Sequence, residues 1–225
     1  MKVAFCSMSD RADIRGLSWP LLDSYCKRHG YSFVTRTDII DRDRHPSWSK
    51  LPFLKSLLPA YDIVVWFDDD ILLTQPDMRI EELLKPFLES DHVIAVSSNN
   101  TAPFNFGLIV AKPTAGPVLD RIYDAVTEET RFGLYWEETA SDALYKTSEE
   151  FRRHVYIFPV GVLQGFHLAA CHPAYRWIPR CFSMHIAGLP NDYRIRKMIQ
   201  TWEELNLKTR FCLHESPVCD GTCTH

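Results

Sequence analysis

Asp62-Ile-Val-Val-Trp-Phe-Asp-Asp-Asp70 is the stretch that decides how this chain folds. Ile63 to Phe67 shows no polar alternation, the pattern of a strand buried on both faces in the middle of a parallel sheet. The apolar run ends in three consecutive carboxylates. In open α/β sheets, ligands bind just beyond the carboxyl ends of such strands. Two carboxylates about 4 Å apart repel by roughly 4 kcal/mol at an effective dielectric near 20. A divalent cation relieves that repulsion. Asp68 and Asp70, two apart in an extended segment, point the same way and can share a metal with the anion it carries. For an Asp-x-Asp pair standing alone, a solvated acidic turn is the simpler reading; the buried strand in front of this one favours a metal site.

Upstream of this stretch, Lys2 to Cys6 reads as a first buried strand, followed by the polar loop Ser7 to Arg15. Leu17 to His29 has helical spacing and stops at Gly30, a usual terminator. Tyr31 to Thr35 alternates as a strand, and Trp48 to Leu58 reads as a helix with Pro52 in its first turn. Strand, helix, strand, helix, strand in about seventy residues marks a parallel, doubly wound α/β sheet of the Rossmann-like kind. Further helices are expected at Ile80–Leu88, Gly116–Thr127, Glu137–Tyr145 and Asp192–Leu205. Further strands are expected at His92–Val96, Gly107–Ala111, Val155–Phe158 and Phe182–Ile186. Neither a repeat nor a linker interrupts the chain, so residues 1–225 are expected to form one domain, with a Cys/His-containing tail from about 207.

Composition narrows the function. An apolar content of 46% and a charged content of 24% are those of an ordinary globular protein. A net charge of −4 argues against a nucleic-acid partner, which needs a basic face. The opening Met-Lys-Val-Ala-Phe-Cys turns polar by Ser7 and does not read as a signal peptide. The longest uncharged stretch, Val93 to Ala111, contains Ser-Ser-Asn-Asn-Thr and Pro103 and does not read as a membrane span. Seven cysteines without a framework spacing favour a reducing compartment. Cys212, His214, Cys219, Cys223 and His225 crowd the last fourteen residues; a loose tail is expected over a zinc site, since the spacing matches no common pattern. Gly-x-Gly-x-x-Gly, the P-loop and Gly-x-Ser-x-Gly are all absent, which argues against nicotinamide, P-loop and serine-hydrolase chemistry.

His185 ends a late strand within Cys-Phe-Ser-Met-His-Ile-Ala-Gly-Leu-Pro (181–190) and reads either as structural or as a ligand. An imidazole added to carboxylates and phosphate oxygens suits Mn²⁺ better than Mg²⁺. Arg194, Arg196 and Lys197 begin the last helix, as a solvated basic face or as a clamp on a diphosphate. Gly107 in Asn105-Phe-Gly107 lets the backbone approach a ligand closely and Asn105 can hydrogen-bond a sugar hydroxyl, although a plain turn fits equally. Lys50 sits early on the helix entering the acidic strand, where most lysines are simply solvated.

These motifs occur together and in one order. Asp-Ser-Tyr-Cys-Lys-Arg-His-Gly (23–30), Trp-Ser-Lys-Leu-Pro-Phe-Leu-Lys (48–55), Val-Trp-Phe-Asp-Asp-Asp (65–70), Asn-Phe-Gly (105–107) and His-Ile-Ala-Gly (185–188) closely resemble GT-A glycosyltransferases. The nearest group contains plant xyloglucan xylosyltransferases and fungal Golgi galactosyl- and mannosyltransferases. The likeness runs from about residue 3 to 200 and thins after 110.

The resemblance implies a GT-A fold, a nucleotide-sugar donor with UDP favoured, a carbohydrate acceptor and retention of anomeric configuration. It implies Mn²⁺ as cofactor, with Mg²⁺ as the alternative. By position, Asp68 meets the ribose and the metal, while Asp70 and His185 are direct ligands. Lys50, Asp69, Asn105 and Gly107 lie against the donor, Phe5, Cys6, Ser7 and Met8 seat the base, and Gly188 admits the diphosphate. Relatives carry a lysine shortly after that glycine, where this chain has Pro190 and Asn191, so clamping is expected from Arg194, Arg196 or Lys197. The segment 190–197 is the expected lid, with Gly188 as its hinge. Glu137, Glu138 and Asp142 compete for the catalytic carboxylate, and Asp-Ala-Leu (142–144) favours Asp142 by register. Relatives carry an upstream membrane anchor, so the chain is expected to be soluble or cytoplasmic, or the lumenal catalytic piece of a Golgi enzyme. Two other functions compete: an aspartyl-nucleophile phosphatase or phosphomutase, suggested by Phe-Asp-Asp-Asp-Ile-Leu (67–72), and a catalytically silent sugar-binding module.

Overall fold

The structure is a computed structural model and describes residues 1–99, 102–133, 135–167 and 173–213. In chain order the elements are β1 (Val3–Met8), α1 (Ala12–His29), β2 (Ser32–Arg36), α2 (Lys50–Leu57), β3 (Ile63–Phe67), β4 (Ile71–Leu73), α3 (Ile80–Leu88), β5 (Ile94–Ser97), β6 (Asn105–Ala111), α4 (Gly116–Asp124), α5 (Glu128–Phe132), α6 (Trp136–Thr147), α7 (Glu149–Arg152), β7 (Val155–Phe158), β8 (Gln164–Phe166), β9 (Ser183–His185), α8 (Asn191–Glu204) and α9 (Leu207–Arg210).

Six strands form the main sheet in the order β2-β1-β3-β6-β5-β7. All run parallel except β6, which is antiparallel to both of its neighbours. That reversal decides where the site lies. Phe67 pairs with Leu108, so the first residues of β6 share a sheet end with the last residues of β3. Asn105, Gly107 and the acidic triplet therefore meet at one edge.

β3 is buried on both faces, as its composition requires. Ile63, Val65 and Phe67 pack into one layer with α1, α3 and α8, while Val64 and Trp66 enter the opposite layer with α2 and α4. Each such side chain contributes about 1.5–3 kcal/mol on burial. α1 begins at Ala12, a turn before the expected Leu17, because buried Ile14 extends its apolar face upstream. α4 stops at Asp124; Thr127, expected inside it, instead caps α5, accepting a hydrogen bond from the Thr130 amide.

A second, three-stranded sheet, β4-β9-β8, contains one expected strand, β9 within Phe182–Ile186; β4 and β8, three residues each, carry no pattern that marks them in the sequence. β4 follows the carboxylates directly and pairs antiparallel with β9, setting Ile71 opposite His185. The start of the expected tail is packed: Leu207 and Phe211 are fully buried. The expectation of a loose tail or zinc site falls mostly on His214, Cys219, Cys223 and His225, which lie outside the described residues. Among the described residues, no helix is long and apolar enough to cross a membrane.

Candidate active site

The strand pairing brings together residues more than a hundred positions apart. One ligand atom each from Asp68, Asp70 and His185 lies within 4.8 Å of the other two. His185 Nε2 is 3.2 Å from Asp70 Oδ1, and Arg194 Nε is 3.2 Å from the other Asp70 oxygen. Asp68 accepts from the Trp66 indole N–H at 2.7 Å and faces Lys50 Nζ at 3.0 Å. Gly107 makes the imidazole's position available. A Cβ there would lie 2.3 Å from His185 Cε1, so the glycine admits a side chain of the protein where the sequence suggested a ligand.

The charges are strongly coupled to burial. Burial opposes ionisation of Asp70, but His185 and Arg194 outweigh it and hold the carboxyl at about 2. Burial and the adjacent Asp70 charge push Asp68 upward, with Lys50 opposing. Burial also raises Asp69, against the pull of Arg11, whose Nε donates to it at 3.0 Å. Lys50 is itself buried, but its pairs with Asp68 and with Glu137 at 2.8 Å more than compensate and raise its pKa. Two carboxylates and an imidazole, grouped where a glycine has cleared the space, fit a divalent cation with mixed oxygen and nitrogen ligands.

A second group borders the first. Glu138 Oε2 accepts from Asn105 Nδ2 at 2.9 Å and from the Phe106 amide at 3.1 Å. Burial, with the Glu137 charge adding to it, pushes Glu138 up to about 7. Such a carboxylate changes charge near neutrality, a property found often at reactive centres.

The structure gathers some expected residues and disperses others. Asp68, Asp69, Asp70, Lys50, Asn105, Gly107, Glu137, Glu138, His185 and Arg194 belong to one connected cluster. Arg196 pairs with Asp192 and Lys197 with Gln200, both on the solvent side of α8. Asp142 pairs with Lys146 one turn along α6. Phe5 and Cys6 point into opposite core layers, because β1 runs on to Met8 and the loop begins only at Ser9. Ser7 accepts from the Trp19 indole, and Met8 is buried. Gly188 has the positive φ of 70° that a tight turn needs, and no described residue lies within 4 Å of where a Cβ would sit. Residues 191–197 form the first turns of α8, anchored by Arg194 to Asp70 and to the Ile186 carbonyl, where a lid was expected.

Sequence reasoning missed Ser9 and Arg11, which both donate to Asp69; Asn191, whose Oδ1 accepts from Arg11 and Arg194; and Gln164, which donates to Asn105 Oδ1 at 2.9 Å. A polar amide set among Val162, Leu163 and Phe166 was the available signal for Gln164.

This mixed sheet with its acidic strand end is the fold of the GT-A glycosyltransferases. A crystallised glycosyltransferase involved in glycosylation of the major capsid of PBCV-1 superposes with a TM-score of 0.72, covering 89% of this chain and all of that one at 13% identity. The galactosyltransferase LgtC, solved with donor and acceptor sugar analogues, superposes at 0.50, covering 91% of this chain and all of that one at 12% identity. Within that class the chain resembles the galactosyl transferase GMA12/MNN10 family, whose model matches residues 23–95. The probable alpha-1,6-mannosyltransferase MNN10 of Saccharomyces cerevisiae is 22% identical in an alignment spanning 194 residues, gaps included, that covers 70% of this chain and 49% of that protein. The chain thus spans about half the length of this curated relative.

Proposed function

We propose that this chain is a metal-dependent glycosyltransferase that moves a sugar from a nucleotide-diphosphate sugar, UDP being the favoured base, to a glycan hydroxyl with retention of configuration. The observation that carries the reading is the convergence of Asp68, Asp70 and His185 within 4.8 Å, beside a neutral-range carboxylate. Retention and the UDP base rest on the family resemblance.

Asp68, Asp70 and His185 would hold a divalent cation, Mn²⁺ by their donor types, and Asp69 with Arg11 braces the triplet from behind. When bound, such a cation supplies Lewis-acid stabilisation of the leaving diphosphate. Arg194, fixed beside Asp70, adds a cation that would help to stabilise the negative charge left on the diphosphate as its bond to the anomeric carbon breaks. Lys50 offsets part of the charge of Asp68 and Glu137 and ties α2 to the end of β3. Among the three carboxylates of α6, Glu138 fits the catalytic role. Glu137 is taken up by Lys50 and Asp142 by Lys146, whereas Glu138 faces the Asn105 amide that reads the donor sugar. Ionised, it stabilises an oxocarbenium-like sugar electrostatically.

The test is a thermal-shift and hydrolysis screen of UDP-galactose, UDP-glucose, UDP-xylose and GDP-mannose, with and without Mn²⁺. One donor should raise the melting temperature by mass action and be slowly hydrolysed only with the metal. Turnover of an aryl phosphate with no response to any nucleotide sugar would favour the phosphatase instead, and donor binding without cleavage the silent module.

A further inference from the structure

We propose that Gln164 is a positioning residue that sets the orientation of the Asn105 amide and, through it, of the Glu138 carboxylate. The geometry stands by itself; the catalytic consequence rests on the glycosyl-transfer reading above.

An asparagine amide has one acceptor oxygen with two lone pairs and one nitrogen with two N–H groups. Both lone pairs of Asn105 Oδ1 are taken, by the Gly107 amide and by Gln164 Nε2, each at 2.9 Å. The nitrogen must then face the other way, and Glu138 Oε2 receives its N–H at 2.9 Å. A flipped amide would set oxygen against carboxylate and two donors against a nitrogen. Gln164 is wholly buried in β8, and its Oε1 has no hydrogen-bond partner among the described residues. A buried amide left half satisfied is costly, so a purely stabilising role does not account for Gln164. β8 pairs with β9 with Phe166 opposite His185, so one short sheet aims both the imidazole and this amide.

The arrangement also constrains the donor sugar. With its oxygen filled and one N–H given to Glu138, Asn105 retains a single N–H. A sugar hydroxyl meeting it must accept there, leaving its own proton for Glu138. Among the described residues, the charged groups that act on Glu138 are Glu137 on the same helix, Lys50 on α2 and His185 on β9, none of which is altered by changing Gln164.

The test follows the Glu138 carboxyl by ¹³C NMR titration in the metal-free protein. The wild-type midpoint should fall near about 7. Gln164→Leu should raise it by about one unit, since the charged form loses a fixed donor. Asn105→Ala should raise it equally, and combining the two should add nothing further. An unchanged midpoint in folded Gln164→Leu, or a fully additive double variant, overturns the proposal. Gln164→Met keeps the length of the side chain and gives the same readings if the leucine variant does not fold. Where a donor is turned over, its kcat should fall with little change in KM. The titration needs no donor, so its failure is separate from failure of the functional reading.

Discussion

Replacing Gly107 by alanine tests how closely the site is built around one absent methyl group. The added Cβ would lie 2.3 Å from His185 Cε1, 2.8 Å from Nδ1 and 2.9 Å from Asn105 Oδ1. Reaching ordinary contact at 3.4 Å requires the ring to move by about 1 Å. The imidazole has little room to retreat, being buried, held at 3.2 Å to Asp70 and stacked on Phe166 at 5.6 Å between centroids. Overpacking of this kind costs roughly 1–3 kcal/mol, or a melting-temperature loss of roughly 2–12 °C for a chain of this size. A 1 Å misplacement at a reacting centre costs on the order of 100-fold in turnover. We expect Gly107→Ala to fold, to melt lower, and to bind Mn²⁺ at least about tenfold more weakly, a loss of about 1.4 kcal/mol. Titration calorimetry with Mn²⁺, paired with thermal melts, reads both effects. A folded variant with wild-type Mn²⁺ affinity would refute the placement of His185 as a ligand.

Other substitutions separate buried from exposed charges. Lys50→Met strands Asp68 and Glu137 without their shared cation and should cost about 3–5 kcal/mol in urea unfolding; adding Glu137→Gln should recover part of it. Arg194→Ala should destabilise clearly, because it leaves buried Asp70 with one partner fewer, whereas Arg196→Ala and Lys197→Ala should stay within about 0.5 kcal/mol. Glu138 lies above the usual glutamate value of 4.5 at about 7, so its contribution to stability is complete below about 4.5 and is lost as pH rises through about 7. Glu138→Gln should remove that limb from a plot of urea midpoint against pH, and wild-type donor turnover should rise through the same midpoint.

The parts of this molecule legible in its sequence were those governed by local pattern. A five-residue apolar strand ending in aspartates reads as itself, and so does a helix closed by Gly30, which adopts the left-handed φ of 73°. The reversal of β6 left no such mark, because a strand buried on both faces looks the same in either direction. His185 was legible as a candidate, but its contact with Asp70 depends on the pairing of two three-residue strands. Arg194, Arg196 and Lys197 were equivalent by composition, and only the helical phase of α8 turns the first inward. Asp142 attracted attention by register, yet helix geometry gives the Asn105 contact to Glu138, one turn earlier. Gln164 acts through a second side chain, which no spacing rule reports.

The proposed chemistry depends most on a cation shared by two strand-end carboxylates and an imidazole from a distant strand. Crystals soaked in manganese chloride and measured at the manganese absorption edge address that point directly. One anomalous peak is expected, within about 2.0–2.6 Å of oxygens from Asp68 and Asp70 and of His185 Nε2. A peak bound by the aspartates while the imidazole keeps its own contacts elsewhere, or no peak at this edge of the sheet, would contradict it.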